Sequence, residues 1–278
     1  MFLKGDALRL PFRDQSVDLV FGSPPYMDAR TYGIGFKLKC QAWIDWMLDV
    51  TTEAMRVSRG LVLWVVAGVT RKRCYQPGPE GLLYLWWKRG GECHCLRPVY
   101  WNAPARIPGS GGDQWLRADV EYVLAFKRPG KLPWADNTAN GQIPKWAPGG
   151  EMSHRDAGGV RKTSRRCTRG RSGGDTIQET KYLPPDLANP GNLVTINVGG
   201  GALGHELAHK NEAPFPQALA EWFIRSWCPP EGTVLDVFSG SGSTVAAARN
   251  LMRRGIGLDI RDSQCLLGMQ RNDGWLFP

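Results

Sequence analysis

No stretch of this chain approaches the ~20 uninterrupted apolar residues that a membrane-spanning helix requires. The opening Met1-Phe2-Leu3-Lys4-Gly5-Asp6 carries an early acid and no long apolar core, so a secretory signal is not expected. The seven cysteines, scattered at 40, 74, 93, 95, 167, 228 and 265, read as reduced thiols of a cytoplasmic protein. There is no internal repeat. Acid is also in short supply: 35 Lys and Arg face 26 Asp and Glu, a net charge of +9. Such a balance favours a polyanionic partner. The shortage is sharpest from Arg155 to Arg171, where seven basic residues meet the single acid Asp156. In place of these the chain has 34 Gly and 20 Pro, hence many loops, while a 42% hydrophobic content excludes wholesale disorder.

Metal chemistry has little to stand on. His205-Glu206-Leu207-Ala208-His209 spells the zinc-protease helix motif. Gly199-Gly200-Gly201 before it, and Pro214 and Pro216 after it, leave no sustained helix to present both histidines on one face. Cys93-His94-Cys95 is too tight for zinc spacing and reads as a strand entering a core. No metal site is expected.

Patterning divides the chain at about 130 and 200. In residues 1–130, Ser16 to Phe21 reads as a strand running into Gly22-Ser23-Pro24-Pro25-Tyr26. Trp43, Trp46, Met47, Val50 and Ala54 recur at helical spacing over 41–57. The apolar run 60–68 reads as a strand covered on both faces, Gly81 to Lys88 as a helix and Val120 to Lys127 as a late strand. Trp43, Trp46, Trp86 and Trp87 are expected in the core. Residues 131–200 hold 11 Gly and 6 Pro and show little periodicity. Arg161, Lys162, Arg165, Arg166, Arg169 and Arg171 are the candidate phosphate contacts there. In residues 201–278, Phe215 to Cys228 forms an amphipathic helix, followed by the strand 233–238, a glycine-rich loop, the helix 244–250 and the strand 255–259.

That last β-α-β unit is a cradle for a nucleoside cofactor. Glycines Gly240 and Gly242 let backbone approach a ligand, and free amides open the next helix. Asp259 ends the following strand, where a carboxylate takes ribose hydroxyls. Val245 stands where a dinucleotide fingerprint has its third glycine, and no Lys follows to make a phosphate loop. Too few residues follow Gly240 to build the rest of a sheet, so its other strands are expected from the N-terminal part. At Ser23-Pro24-Pro25-Tyr26, two prolines fix φ and remove two donors, leaving rigid carbonyl acceptors. With the Ser23 hydroxyl, the Pro24 carbonyl suits both hydrogens of an exocyclic amino group, and Tyr26 offers a ring on which a base can stack. A Pro-Pro turn with a packed tyrosine reads equally well on its own.

Together, an early Ser-Pro-Pro-Tyr turn and the late Asp236-Val237-Phe238-Ser239-Gly240-Ser241-Gly242-Ser243-Thr244 motif resemble the beta-class DNA amino-methyltransferases. The resemblance covers about residues 3–68, 119–127 and 205–262. It implies an α/β, Rossmann-like methyltransferase fold of mostly parallel strands with permuted motif order and a loop-rich recognition insert. It further implies S-adenosylmethionine as cofactor, held by Asp6, Ala7, Asp236, Phe238, Ser239, Gly240, Gly242, Thr244 and Asp259. Duplex DNA is the implied substrate, with a base flipped onto Tyr26 and its amino group held by Ser23 and Pro24 beside Pro25. A homodimer is implied by the resemblance alone. Ser at the head of the turn favours cytosine N4, with adenine N6 the alternative. C5 chemistry is disfavoured because no Pro-Cys dipeptide occurs. A nicotinamide oxidoreductase leaves the Ser23 turn and the charge unexplained, and a non-catalytic DNA-binding module leaves the cofactor loop unexplained.

Overall fold

A strand whose two faces are both apolar must be covered twice, and Leu61, Leu63 and Val65 alternate with Val62, Trp64 and Val66, all buried. In the computed structural model this strand is central. The structure describes residues 1–27, 32–103, 116, 118–144, 152–164, 186–198, 201 and 203–272. Its strands are β1 (Phe2–Lys4), β2 (Val17–Gly22), β3 (Ser58–Val66), β4 (Val69–Arg71), β5 (Cys74–Gln76), β6 (His94–Cys95), β7 (Val99–Asn102), β8 (Val120–Lys127), β9 (Met152–Arg155), β10 (Arg161–Ser164), β11 (Leu193–Thr195), β12 (Thr233–Asp236) and β13 (Arg254–Asp259). Its α-helices are α1 (Cys40–Val57), α2 (Gly78–Arg89), α3 (Gln217–Trp227), α4 (Ser243–Asn250) and α5 (Asp262–Asn272).

The chain divides into two compact units, residues 1–136 with 191–278, and residues 137–190. The smaller unit falls inside the 131–200 stretch; its edges differ because β11 joins the large sheet beside β7. Within the small unit, β9 and β10 form an antiparallel hairpin with Arg161 opposite Arg155. Asp156 organises its turn by accepting from the amides of Gly158 and Val160, both at 3.0 Å.

The large unit carries a mixed sheet in the order β1-β13-β12-β2-β3-β8-β7-β11, with β6 also pairing β8. From β1 to β3 every pairing is parallel. Val62, Trp64 and Val66 pack with Trp43, Met47 and Ala54 of α1 and with Leu82 and Trp86 of α2. Leu61, Leu63 and Val65 pack with Leu219 and Phe223 of α3 and with Ala247 and Ala248 of α4. The third-glycine function of the β-α-β unit is moved across the contact. Gly255 on β13 is the small residue, and a Cβ there would lie 2.9 Å from Val245 Cα.

The expected permutation is visible at the β12/β2 joint, where Val234 and Leu235 pair with Leu19 and Val20. Asp18 fastens it, accepting from the Thr233 amide (2.8 Å) and pairing with Arg59 (2.6 Å). From β12 the chain crosses through α4 to β13; from β2 it crosses through α1, on the other face, to β3. Crossovers departing in opposite directions open a crevice at the carboxyl ends of β12 and β2, where ligands of open α/β sheets bind. Gly22 makes the joint close: a Cβ there would lie 2.5 Å from Asp236 Oδ1. Gly22→Ala is expected to destabilise by about 1–3 kcal/mol through overpacking. Calorimetry checks this, and an unchanged Tm would show that the contact yields.

Candidate active site

Two loops leave the adjacent carboxyl ends of β2 and β12 and face one cavity of 610 Å³. The first is the Pro-Pro turn. Ser23 Oγ donates to the Val65 carbonyl on β3 (3.0 Å). A hydroxyl has a single proton, so what Ser23 offers the cavity is lone pairs. The Pro25 carbonyl is occupied by Trp43 Nε1 (2.7 Å), which anchors the turn to α1. The Pro24 carbonyl accepts no hydrogen bond among the described residues. The Tyr26 amide donates to the Tyr32 phenol oxygen (3.1 Å), and the Tyr26 hydroxyl donates to Glu121 Oε2 (2.7 Å). Burial, reinforced by the Glu121 carboxylate, holds the Tyr26 phenol well above its ordinary pKa, so it stays a donor.

The second loop is built around Asp236, which is 1% exposed. Its Oδ1 accepts from the Phe238 amide (2.9 Å) and its Oδ2 from Thr244 Oγ1 (2.6 Å), pinning the loop to the start of α4. Burial, aided by the nearby Asp259, raises its carboxyl to about 7. Gly240 takes a positive φ of 47° and lies so close to Asn211 that a Cβ would be 2.5 Å from Nδ2. Asp259 Oδ2 accepts from the Gly240 amide (3.1 Å), and Oδ1 from the Arg261 amide (3.0 Å).

Of the expected site residues, Asp6, Ala7, Ser23, Pro24, Pro25, Tyr26, Phe238, Ser239, Gly240 and Asp259 line the cavity. Asp236 and Thr244 lie beneath the loop as its supports, and Gly242 packs against the Phe2 ring. In the small unit, Arg161 is exposed on β10 and Lys162 follows it in the strand. Arg165, Arg166, Arg169 and Arg171 lie outside the described residues. Of the tryptophans expected in the core, Trp46 packs against it while also facing the cavity, and Trp87 is a correction. Trp87 is 64% exposed because it falls on the outer face of α2. His205 caps a short 3₁₀ turn, Glu206–Lys210, by accepting from the Leu207 amide (3.1 Å).

Does this cavity suit a nucleoside carrying a polar tail? Ser239 Oγ is buried in the wall with no hydrogen-bond partner among the described residues. A buried hydroxyl left unpartnered is a place where a ligand's polar group is needed. With the Asp259 carboxylate and the rings of Phe36, Trp46, Phe215 and Phe238 in the wall, the donor and acceptor set fits a ribose, a base and an amino-acid tail.

The DNA methylase family model matches residues 17–270, most of the chain. The chain belongs to this N6/N4 DNA methylase family. The methylase is 42% identical over 278 residues to the Type II methyltransferase M.ScaI of Streptomyces caespitosus, covering 93% of this chain and 76% of that one. It is 26% identical to the orphan methyltransferase M.BamHII of Bacillus amyloliquefaciens, covering 95% and 91%. Among solved structures, the PvuII DNA methyltransferase, described as cytosine-N4-specific, matches with a TM-score of 0.67 at 20% identity, over 99% of this chain and 87% of that one. The Thermus thermophilus protein TTHA0409, complexed with S-adenosyl-L-methionine, matches at 0.57 with 21% identity, over 99% and 95%. These structural likenesses show the Rossmann-like methyltransferase fold. The family makes the methylase an S-adenosylmethionine-dependent enzyme acting on DNA.

Sequence reasoning missed Glu121, Tyr32 and Arg261. Arg261 Nη1 donates to the Tyr32 carbonyl (2.7 Å) and contacts Glu212 (3.3 Å), while its Nε reaches Asp259 (3.4 Å). The sequence signal for Glu121 is slight, a single acid near the start of an apolar strand whose partner lies 95 residues earlier. The Tyr26–Glu121 bond yields a prediction. A hydrogen bond to a charged group is worth about 1.5–3 kcal/mol, so Tyr26→Phe and Glu121→Ala are each expected to slow turnover roughly ten- to hundredfold. Glu121→Gln keeps an acceptor and most of the rate. The double variant Tyr26→Phe/Glu121→Ala is expected to be no slower than the worse single one; additive losses would separate the two residues.

Proposed function

We propose that this methylase transfers a methyl group to N4 of a cytosine flipped out of duplex DNA. The observation that carries the reading is the pair of acceptors at the Pro-Pro turn. Ser23 Oγ donates to the Val65 carbonyl, and the Pro24 carbonyl beside it accepts no hydrogen bond among the described residues. Two acceptors and no acid suit both hydrogens of a neutral exocyclic amine. Accepting from both favours a pyramidal nitrogen with its lone pair available, and the site works by positioning and electrostatics. Tyr26 supplies the stacking ring, fixed at its hydroxyl by Glu121 and at its amide by Tyr32. When bound, S-adenosylmethionine would supply the electrophilic methyl, its bond to sulfur breaking as the amine lone pair bonds the carbon, with the neutral thioether as leaving group and the surplus amine proton passing to solvent. Asp259 would hold its ribose, Asp6, Ala7 and Phe238 would flank its adenine, and Ser239 and Gly240 would meet its polar remainder. Asp236, Thr244 and Gly242 shape the loop that does so.

Cytosine is supported by Ser at position 23 and by the cytosine-N4 description of the PvuII relative. The 137–190 unit, with Arg161 and the basic residues that follow it, is the proposed target-recognition region between the catalytic and cofactor halves. The reading extends to a cytoplasmic location, in keeping with a DNA substrate, and to the homodimer that the family resemblance suggests. No helix among the described residues is long and apolar enough to cross a membrane.

The test is to incubate the protein with radiolabelled S-adenosylmethionine and mixed-sequence duplex, digest to nucleosides and identify the product by mass spectrometry. N4-methylcytosine is expected. N6-methyladenine would overturn the base assignment, and no labelled nucleoside despite cofactor binding would overturn the DNA substrate.

A further inference from the structure

The β4–β5 hairpin takes no part in the machinery described above. It leaves the carboxyl end of β3, the end whose Val65 carbonyl holds Ser23. From residue 54 to residue 79 the chain contains no acid, and three of the basic residues in that span, Arg71, Lys72 and Arg73, follow one another at the hairpin tip. Arg71 pairs with Cys74, so Lys72 and Arg73 form a two-residue loop. Both take positive φ, 48° and 62°. Positive φ at both loop positions marks the type I′ turn, which Asn-Gly fills without strain and which long side chains with a Cβ do not. Strain retained where a relaxed dipeptide exists points to a task other than stability.

The root of the hairpin is rigid. Tyr75 donates to Glu80 Oε1 (2.8 Å), to which Tyr122, the neighbour of Glu121, also donates (2.8 Å). Gly68 lies directly under the Tyr75 ring, and a Cβ there would be 2.3 Å from the phenol oxygen. Beyond β5, Gly78 abuts the side chain of Met27, the residue after Tyr26, so closely that a Cβ would be 2.6 Å from Met27 Cε. The hairpin and the catalytic turn therefore share one packed base, while Thr70 to Tyr75 are exposed.

We propose that this hairpin is a phosphate-gripping finger: Arg71, Lys72 and Arg73 contact the sugar–phosphate backbone of duplex DNA beside the base delivered to Tyr26. The inference rests on the DNA methylase reading and adds a contact outside the recognition region. A cationic tip on a hairpin whose base packs beside the catalytic turn holds the duplex in register while a base leaves the stack.

The test replaces Lys72-Arg73 with Asn-Gly (Lys72→Asn, Arg73→Gly) in the full chain. Removing strain and two cations together is expected to raise Tm while weakening duplex binding. The slope of log K against log[salt] should become shallower by about 0.9 for each lost phosphate contact, roughly 1.8 for the pair. The KM for DNA should rise, with S-adenosylmethionine affinity unchanged. Lys72→Gln with Arg73→Gln should give the same slope change without the gain in Tm. A wild-type salt slope in either folded variant overturns the proposal, and a lower Tm in the Asn-Gly variant overturns the strain argument. If the wild-type protein binds S-adenosylmethionine and no duplex at any salt concentration, the methylase reading fails, and the finger with it.

Discussion

Asp236→Ala is expected to abolish methyl transfer in a protein that remains folded. The carboxylate does not reach the cavity; it holds the loop that does. Its removal strands the Phe238 amide and the Thr244 hydroxyl in a buried site, and a buried donor left unpaired costs about 1–3 kcal/mol. The relief available is for the loop carrying Phe238, Ser239 and Gly240 to leave its place. Cofactor affinity should fall by about a hundredfold, as a loss of two such bonds implies. Calorimetric titration with S-adenosylmethionine and single-turnover rates check this, with circular dichroism to establish folding. Wild-type rates in the folded variant would remove Asp236 from the site.

The same residue sets a pH dependence. Its carboxyl titrates at about 7 in the folded protein and at 3.8 without perturbation, raised by burial first and by Asp259 second. Between those values the folded state holds a proton that the unfolded chain has released. Its contribution to stability is therefore fully present below the lower value, is lost as pH rises towards 7, and is constant above that. Asp236→Asn should flatten this part of the profile of urea midpoint against pH in the cofactor-free protein. A profile that keeps its slope would assign the titration elsewhere.

Tyr26→Ala is expected to have the other large effect, with the opposite division between ligands. Stacking of a base on an aromatic ring is worth about 1–3 kcal/mol, and in the proposed mechanism the Tyr26 ring is the surface onto which the base flips. Methyl transfer should fall beyond detection while S-adenosylmethionine binds as before, because Tyr26 belongs to the β2 side of the crevice. A folded variant that turns over normally would refute the stacking role. Weakened cofactor binding would show that Tyr26 also supports the cofactor side.

Long periodic segments were legible in the sequence for physical reasons. α1 and α3 each present apolar residues every three or four positions, and β3 is apolar on both faces because helices cover both. The two loops of the site were legible because Pro-Pro and Gly-x-Gly constrain the backbone whatever surrounds them. The three-residue strands β1 and β11 were not, since three residues establish no period. Their pairing depends on β13 and β7, more than 90 residues away. Side-chain partnerships across the sheet were equally hidden. Glu121 meets Tyr26 only because β8 lies beside β3, and Trp46, half-buried on α1, packs against the core while lining the cavity.

The β12/β2 joint bears on synthesis. Asp18 and Thr233 are 215 positions apart, and contacts of such separation form late, after the loop-closure entropy has been met. As the chain emerges, β2 and β3 can pair while the other edge of β2, buried in the finished protein, waits for β12. An unpaired apolar edge is an invitation to aggregation. That edge of β2 is therefore uncovered until residue 236 is made, and the proposed cofactor cradle is complete only when residue 259 has followed.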